Sequence, residues 1–489
     1  MNILPKPKKM VFDERTTCTN RECVYWFPDE SLPQEGYRIQ LLPDKIEIRY
    51  RDEHGRRYAA LTLDALRRSN HSACGTLEDY PSYAHRGVHL DVARYYISIK
   101  EIKEFIDVLS LLKFNVLHLH LNDEQGWRIH ISAYPLLTQI GANRPYSDYG
   151  RTKDMQPHGG WYTKDEVCDL VAYAKERAID IMPEIEMPGH CSAILAAYPS
   201  LSCKEEPVHV KTRGGVYDEI LCAGNEEVYR MLETIIDECC EIFPYPFFHI
   251  GADEAKKDHW RSCPRCQAKM REEGIASVAG LQDYFVQRMA SYIRSKGKRT
   301  IIYSDGLRAN HTCSDVDVQY WVGDKEQTQK LLQGGSKVIV STHGMYYFDL
   351  GYGQTSLKKA YEYDPAQEFA PYEEQVCGVE GMLWGEFIPD QKTRYQQAFP
   401  RLLALSETAW NANEKEAYAS FAKRCSDFIQ SNHLHAAPEA LWNMPKGKRI
   451  LDMLRFYHRT MTWQDLKQFV SVLRNEKKEK EENEKITGN

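Results

Sequence analysis

Between residues 87 and 384 the chain alternates short β-rich runs with helical ones, and this alternation restricts the fold more than any other feature. Eight runs stand out: 87–91, 116–121, 179–184, 247–251, 300–304, 318–321, 337–341 and 378–384. Several are rich in Val, Ile, Leu and Phe, as buried strands require. Helical patterns lie between most of them. Residues 99–112 place Ile102, Phe105, Ile106 and Leu109 on one helical face. Thr163 with Glu166 three residues later forms a capping box that opens the next helix. Segments 226–243, 281–295 and 401–410 continue the pattern. Strands separated by helices lie parallel in one sheet, and eight such units are the content of a (β/α)8 TIM barrel, an α/β fold. A doubly wound open sheet would need fewer strands or a glycine-rich phosphate loop, and no GxGxxG follows the first run.

The flanks are smaller. Two β-like runs at 37–42 and 45–50, the turn Asp52-Glu53-His54-Gly55 and a helix over 57–68 make a small, truncated α+β unit, followed by a linker at 69–82. The expected organisation is an N-terminal α+β domain and linker over 1–82, a barrel over 83–425, and a helical extension over 426–489 ending in a mixed-charge run at 475–485. A net charge of −7 gives no electrostatic reason to expect nucleic acid or an anionic membrane as partner. No window approaches the roughly 18 apolar residues of a membrane span, and the first residues lack the apolar core of a secretory signal. These features lead us to expect a cytoplasmic protein. Among 14 cysteines, Cys263 and Cys266 form the one CxxC. Because a zinc site needs a second pair of ligands and none stands at matching spacing, no metal is expected.

Active sites of (β/α)8 barrels lie at the C-terminal ends of the strands. At those exits the sequence places Asp91 and Arg94, Asp123, then Glu184, Glu186 and His190, then Asp253 and Glu254, Asp305, Trp321, His343 with Tyr347 and Asp349, and Trp384 with Glu386. Acids alternating with tryptophan and tyrosine on one rim suit a polyol-binding pocket. Two adjacent carboxylates, Asp253 and Glu254, suit acid/base work, since their repulsion raises one pKa and leaves the other ionised. On the strand before them, His249, Gly251 and Asp253 share the inward face. His118 and His120 also share a face, as interior packing residues.

The segment His249-Ile250-Gly251-Ala252-Asp253-Glu254 resembles the His-x-Gly-Gly-Asp-Glu signature of glycoside hydrolase family 20, the β-N-acetylhexosaminidases. Four further segments are similar to motifs of that family in the same order. They are Arg86-Gly87 with Asp91 and Arg94, the run from Leu117 to Arg128, Pro183-Glu184-Ile185-Glu186-Met187-Pro188-Gly189-His190, and Trp384-Gly385-Glu386. The resemblance implies an exo-acting enzyme that releases terminal β-linked GlcNAc, GalNAc or substituted GlcNAc. It uses no cofactor and no enzymic nucleophile, because the substrate's own 2-acetamido oxygen attacks the anomeric carbon.

Carried over, the resemblance makes Glu254 the general acid and base. Asp253 orients the acetamido N–H, and Tyr347 donates to the acetamido oxygen. Arg86 is expected on the 3- and 4-hydroxyls, and Asp349 and Glu386 on the 4- and 6-hydroxyls. Trp384 forms the floor under the ring and Trp321 a wall of the acetamido pocket, while Asp123 and His190 support the acid and the arginine. Where the family shows tryptophans, this chain has Tyr303 after the fifth run and Tyr363 near the seventh, both candidate pocket walls. Ala252 replaces the second glycine of the signature. Two other readings stay open: a two-carboxylate retaining glycosidase with Glu186 or Glu386 as nucleophile, and a sugar-binding barrel without turnover.

Overall fold

The computed structural model describes residues 3–69, 71–150, 152–307, 315–323, 325–412 and 414–460; the mixed-charge run at 475–485 lies outside them. Eight parallel strands close into a barrel: His85–Asp91, Val116–His120, Asp180–Glu184, Phe247–His249, Arg299–Tyr303, Val316–Tyr320, Val338–Val340 and Val376–Gly381. Each coincides with one of the eight sequence runs. The barrel closes where Val376–Gly381 pairs with His85–Asp91, Glu380 lying opposite Gly87. Helices begin where the sequence signals them. Ser98 and Glu101 cap Ile99–Leu111, Thr163 and Glu166 cap Lys164–Lys175, and Asn225 caps Glu226–Ile242.

The interior is filled in layers. Val116, Met182, Ile301 and Ile339 form an apolar layer near the base. Above it sits a polar layer built on two buried glutamates. Glu184 lies 2.5 Å from His120, 3.1 Å from His249 and 3.3 Å from His118. Glu380 lies 2.8 Å from both His85 and His118 and accepts from Gln319 at 2.9 Å. Gly87 is required here, because a side chain would overlap Glu380. Burial disfavours charge on His118, but Glu380 and Glu184 outweigh it and raise its pKa to about 9. The two histidines thus pack inside the barrel, as expected of them in preference to the metal-ligand reading that their spacing also allowed.

The N-terminal unit is larger than the pair of strands and helix legible in the sequence. Five strands, in the spatial order Lys9–Thr17, Ala73–Asp79, Tyr37–Leu41, Ile46–Tyr50 and Val24–Pro28, form one sheet against the helix Glu53–Arg68. The segment read as a linker therefore contains a strand. Its Gly75 passes so close to Val11 that a side chain would collide with it, and this glycine disguises the strand in the sequence. The sheet and helix share their core with Trp410 and Ala178 of the barrel. At the other end of the chain, the helix Lys446–Thr460 returns to the rim, where Phe456 and Tyr457 join a cluster with Tyr347, Leu350, Trp384 and Phe387.

Candidate active site

The strand Phe247–His249 ends in a tightly coiled exit. Gly251, Ala252 and Glu254 all have positive φ, at 61°, 72° and 47°. Gly251 cannot be replaced by a larger residue, because a Cβ there would fall inside the Glu186 carboxylate. Glu186 Oε1 in turn accepts from the amides of Met187 and Ala252 at 3.1 and 2.9 Å. This buried acid anchors the coil and faces away from solvent. The position of Ala252 tolerates the missing glycine, since its side chain packs in the core.

The coil sets Asp253 and Glu254 in different surroundings. Asp253 is buried, and its Oδ1 has no hydrogen-bonding partner. Burial, with the neighbouring charges of Asp305 and Glu254, raises its pKa to about 8 against the pull of His190. Glu254 keeps a quarter of its side chain exposed and lies 3.5 Å from His190 Nε2. Its backbone N–H donates to Asp305 Oδ2 at 3.0 Å. Asp305 Oδ1 also accepts from the Trp321 indole N–H at 3.0 Å, so one carboxylate fixes both the acid and the tryptophan.

Behind Glu254 runs a chain of alternating charge. His190 Nδ1 lies 3.4 Å from Asp123, which lies 2.6 Å from Arg94 and 3.1 Å from His120. Burial opposes ionisation of Asp123, yet Arg94 and His190 hold its pKa well below the carboxylate range. Burial likewise opposes charge on His190, and Asp123 and Glu254 raise its pKa despite this. Arg94 also pairs with Asp91 at 3.1 Å and Glu386 at 3.5 Å, and its guanidinium stands 5.0 Å above the Trp384 ring.

Aromatic rings complete the pocket. Trp321 stacks on Tyr347 with centroids 6.0 Å apart. Tyr303 sits 4.5 Å from His249 and 6.1 Å from Trp384, and its hydroxyl has no partner. Asp349 is buried with Oδ1 unpaired, and burial with the Glu386 charge raises its pKa to about 8. Asp253, Tyr303 and Asp349 thus bring unsatisfied buried polar atoms to one rim, where a polar ligand would satisfy them.

Two residues expected at this rim lie elsewhere. Arg86 is the second residue of its strand, so it sits at the base and points outward from the barrel. There it donates to the Lys113 and Tyr83 carbonyls and to the Tyr58 hydroxyl, each at 2.9 Å, and pairs with Glu35. Arg94, at the exit of the same strand, stands at the rim instead. Tyr363 bonds Thr342 at 2.9 Å and packs 5.3 Å from Tyr346, whose ring belongs to the outer core rather than to the Tyr347 cluster. Tyr363 thus lies outside the Tyr347 cluster, whereas Tyr303 lies within it. A cavity of about 170 Å³ lies away from the rim, lined by Leu4, Leu61, Lys113 and Phe428 among others, and holds none of these acids.

The catalytic-domain model of glycosyl hydrolase family 20 matches residues 83–413, well over half of the chain. The chain belongs to this family. A β-hexosaminidase of Porphyromonas gingivalis is 32% identical over 439 residues, covering 84% of this chain and 56% of that protein. The chain therefore spans little more than half of that relative. A β-hexosaminidase of Akkermansia muciniphila is 30% identical over 452 residues, covering 88% of this chain and 90% of its own. Among solved structures, the crystal structure of a β-N-acetylhexosaminidase superimposes with a TM-score of 0.83 at 29% identity, covering 91% of this chain and 98% of its own. No helix among the described residues is long and apolar enough to cross a membrane.

Among the described residues, four groupings are tight enough to hold a metal ion. Two are built on Glu184 with interior histidines, and there the glutamate already bonds imidazoles. A third, His190 with Asp253 and Glu254, lies at the rim described above. The fourth supplies what the CxxC lacked in the sequence: Cys203 and Cys222 converge on Cys263 and Cys266. Sequence spacing missed this pair because the four cysteines come from two separate loops.

Proposed function

We propose that the protein is an exo-acting β-N-acetylhexosaminidase that retains anomeric configuration through its substrate's acetamido group. The sugar ring lies over Trp384, with Arg94, Asp349 and Glu386 on its hydroxyls. The acetamido group enters the slot between Trp321, Tyr347 and Tyr303. Its carbonyl oxygen attacks the anomeric carbon while the glycosidic C–O bond breaks, and Glu254 gives its proton to the leaving oxygen. Donation from the acetamido N–H favours the ionised form of Asp253, which accepts that bond and stabilises the positive charge that develops there, and Tyr347 donates to the oxygen. Water then adds to the anomeric carbon, Glu254 takes back a proton, and the ring of the intermediate opens to restore the acetamide. A tethered nucleophile avoids the entropy of a bimolecular encounter.

The observation that carries this reading is the pairing of the partly exposed Glu254 with a buried Asp253, whose Oδ1 has no partner, beside an aromatic slot. Of the two nucleophiles open to the two-carboxylate alternative, Glu186 is disfavoured, since it is buried and held by the backbone amides of Met187 and Ala252. The test compares an aryl β-N-acetylglucosaminide, its GalNAc and 6-sulfo-GlcNAc counterparts, and the matching β-glucoside. Turnover of the N-acetyl sugars without turnover of the glucoside is expected. Equal rates on both would end the substrate-assisted mechanism, and sugar binding without any turnover would leave only a binding barrel.

A further inference from the structure

Cys203 follows the short turn Pro199–Leu201, and Cys222 lies on the returning arm of the same loop, which is bridged at Ser202 and Leu221. Cys263 and Cys266 come from the next loop, where Cys263 caps the helix Pro264–Glu272 and Cys266 sits in its first turn. The sulfur of Cys222 lies 3.6 Å from that of Cys266 and 3.8 Å from that of Cys263, and Cys203 lies 3.8 Å from Cys266. All four sulfurs fall within 4.8 Å of one another. Cys222, Cys263 and Cys266 are buried and Cys203 half-buried.

These distances discriminate between chemistries. A disulfide brings two sulfurs to about 2.05 Å and leaves the others apart, whereas here no pair is singled out. Four sulfurs placed tetrahedrally at about 2.3 Å from a zinc ion stand about 3.8 Å from each other. The surroundings fit as well. Gly224 lets the Cys222 arm close on the CxxC turn, since a side chain there would fall on the Arg265 backbone. The Arg265 guanidinium, between the two CxxC thiols in sequence, donates to the Ser202 carbonyl at 2.7 Å and offers positive charge to a thiolate cluster.

We propose that Cys203, Cys222, Cys263 and Cys266 bind one structural zinc ion. The ion would tie the loop after the third barrel strand to the loop after the fourth. Those loops also carry His190 and Glu254, and the Leu221 N–H donates to the Pro188 carbonyl at 3.0 Å, two residues from His190. The site is closed, with four protein ligands, and serves architecture rather than the reaction.

The full chain, purified in a thiol reductant without added metal, should carry about one zinc per molecule by elemental analysis. Protein produced on cobalt should show sulfur-to-metal charge transfer and the intense visible bands of a tetrahedral tetrathiolate. Stripping the metal should lower the melting temperature by more than about 5 °C, and Cys266→Ser should reduce bound zinc at least about tenfold. If the serine variant fails to fold, the cobalt spectrum of the parent decides. Metal-free protein with four alkylatable thiols at these positions would overturn the proposal. So would disulfides among them in unreduced peptide maps, or bound cobalt without thiolate bands.

Discussion

Arg86 and Arg94 stand eight residues apart, both buried, both paired with carboxylates and both over a tryptophan, Arg86 at 5.3 Å from Trp410 and Arg94 at 5.0 Å from Trp384. Their settings differ in charge balance. At the base, Arg86 meets one carboxylate, Glu35, and spends its other donors on carbonyls and a tyrosine. Burial works against ionisation of Glu35, but Arg86 and His54 overcome it and lower its pKa to about 2. At the rim, Asp91, Asp123 and Glu386 crowd one guanidinium, and Asp253 and Asp349 are pushed up to about 8. A satisfied ion pair fastens the barrel to the turn that leads into the N-terminal strand Tyr37–Leu41. A surplus of buried acids costs stability and leaves groups ready to meet a ligand, the usual mark of a working site.

The sharpest way to break this contrast is at the rim. Glu254→Gln should lower kcat about 10²- to 10⁴-fold on substrates with poor leaving groups. Its melting temperature should stay close to the parent's, since Glu254 is partly exposed. The paired arginines should then separate. Arg86→Lys keeps the charge but loses the fork, so chemical denaturation should show a loss of about 2–3 kcal/mol, while kcat/KM of the folded enzyme stays within about twofold. Arg94→Lys should instead lower kcat/KM about 10- to 100-fold, mainly through KM. A kinetic defect in Arg86→Lys larger than that in Arg94→Lys would reverse the assignment of base and rim.

This contrast also shows where the sequence could be read. All eight barrel strands were legible, because a strand buried on both faces leaves a dense apolar run. The strands Lys9–Thr17 and Val24–Pro28 were not, since most of their residues are exposed or half-exposed and carry no such run. Most of the pocket was legible by the rule that barrel sites gather at strand exits. Arg86 went wrong because motif resemblance overrode that rule, which already pointed to Arg94. Tyr363 and the cysteine quartet failed for another reason. Whether a loop residue turns toward the pocket, or which loops converge, depends on packing that spacing does not encode. The same holds for Tyr457, brought to the rim by a helix whose sequence carries no site motif.

The smallest expected effect tests the charge balance most directly. Asp253 has a folded pKa near 8 against an ordinary value of 3.8. Between those values the native state holds a proton that the unfolded chain has released, so stability falls as pH rises from about 4 through about 8. Asparagine cannot titrate. Asp253→Asn should therefore match the parent near pH 4 and become more stable than it above pH 8, by about 1 kcal/mol or more. Turnover should fall all the while, as orientation of the acetamido group is lost. Glu35 must behave in the opposite sense: its low pKa stabilises the fold above about pH 4.5, and that contribution is lost as pH falls toward 2. Glu35→Gln should accordingly be less stable than the parent at every pH from 5 to 9. Denaturation curves of the two variants across that range would show one gap widening with pH and the other flat. Two flat gaps would mean that the buried acids of the rim are already neutralised by their neighbours, and the contrast between the two ends of the barrel would be one of position alone.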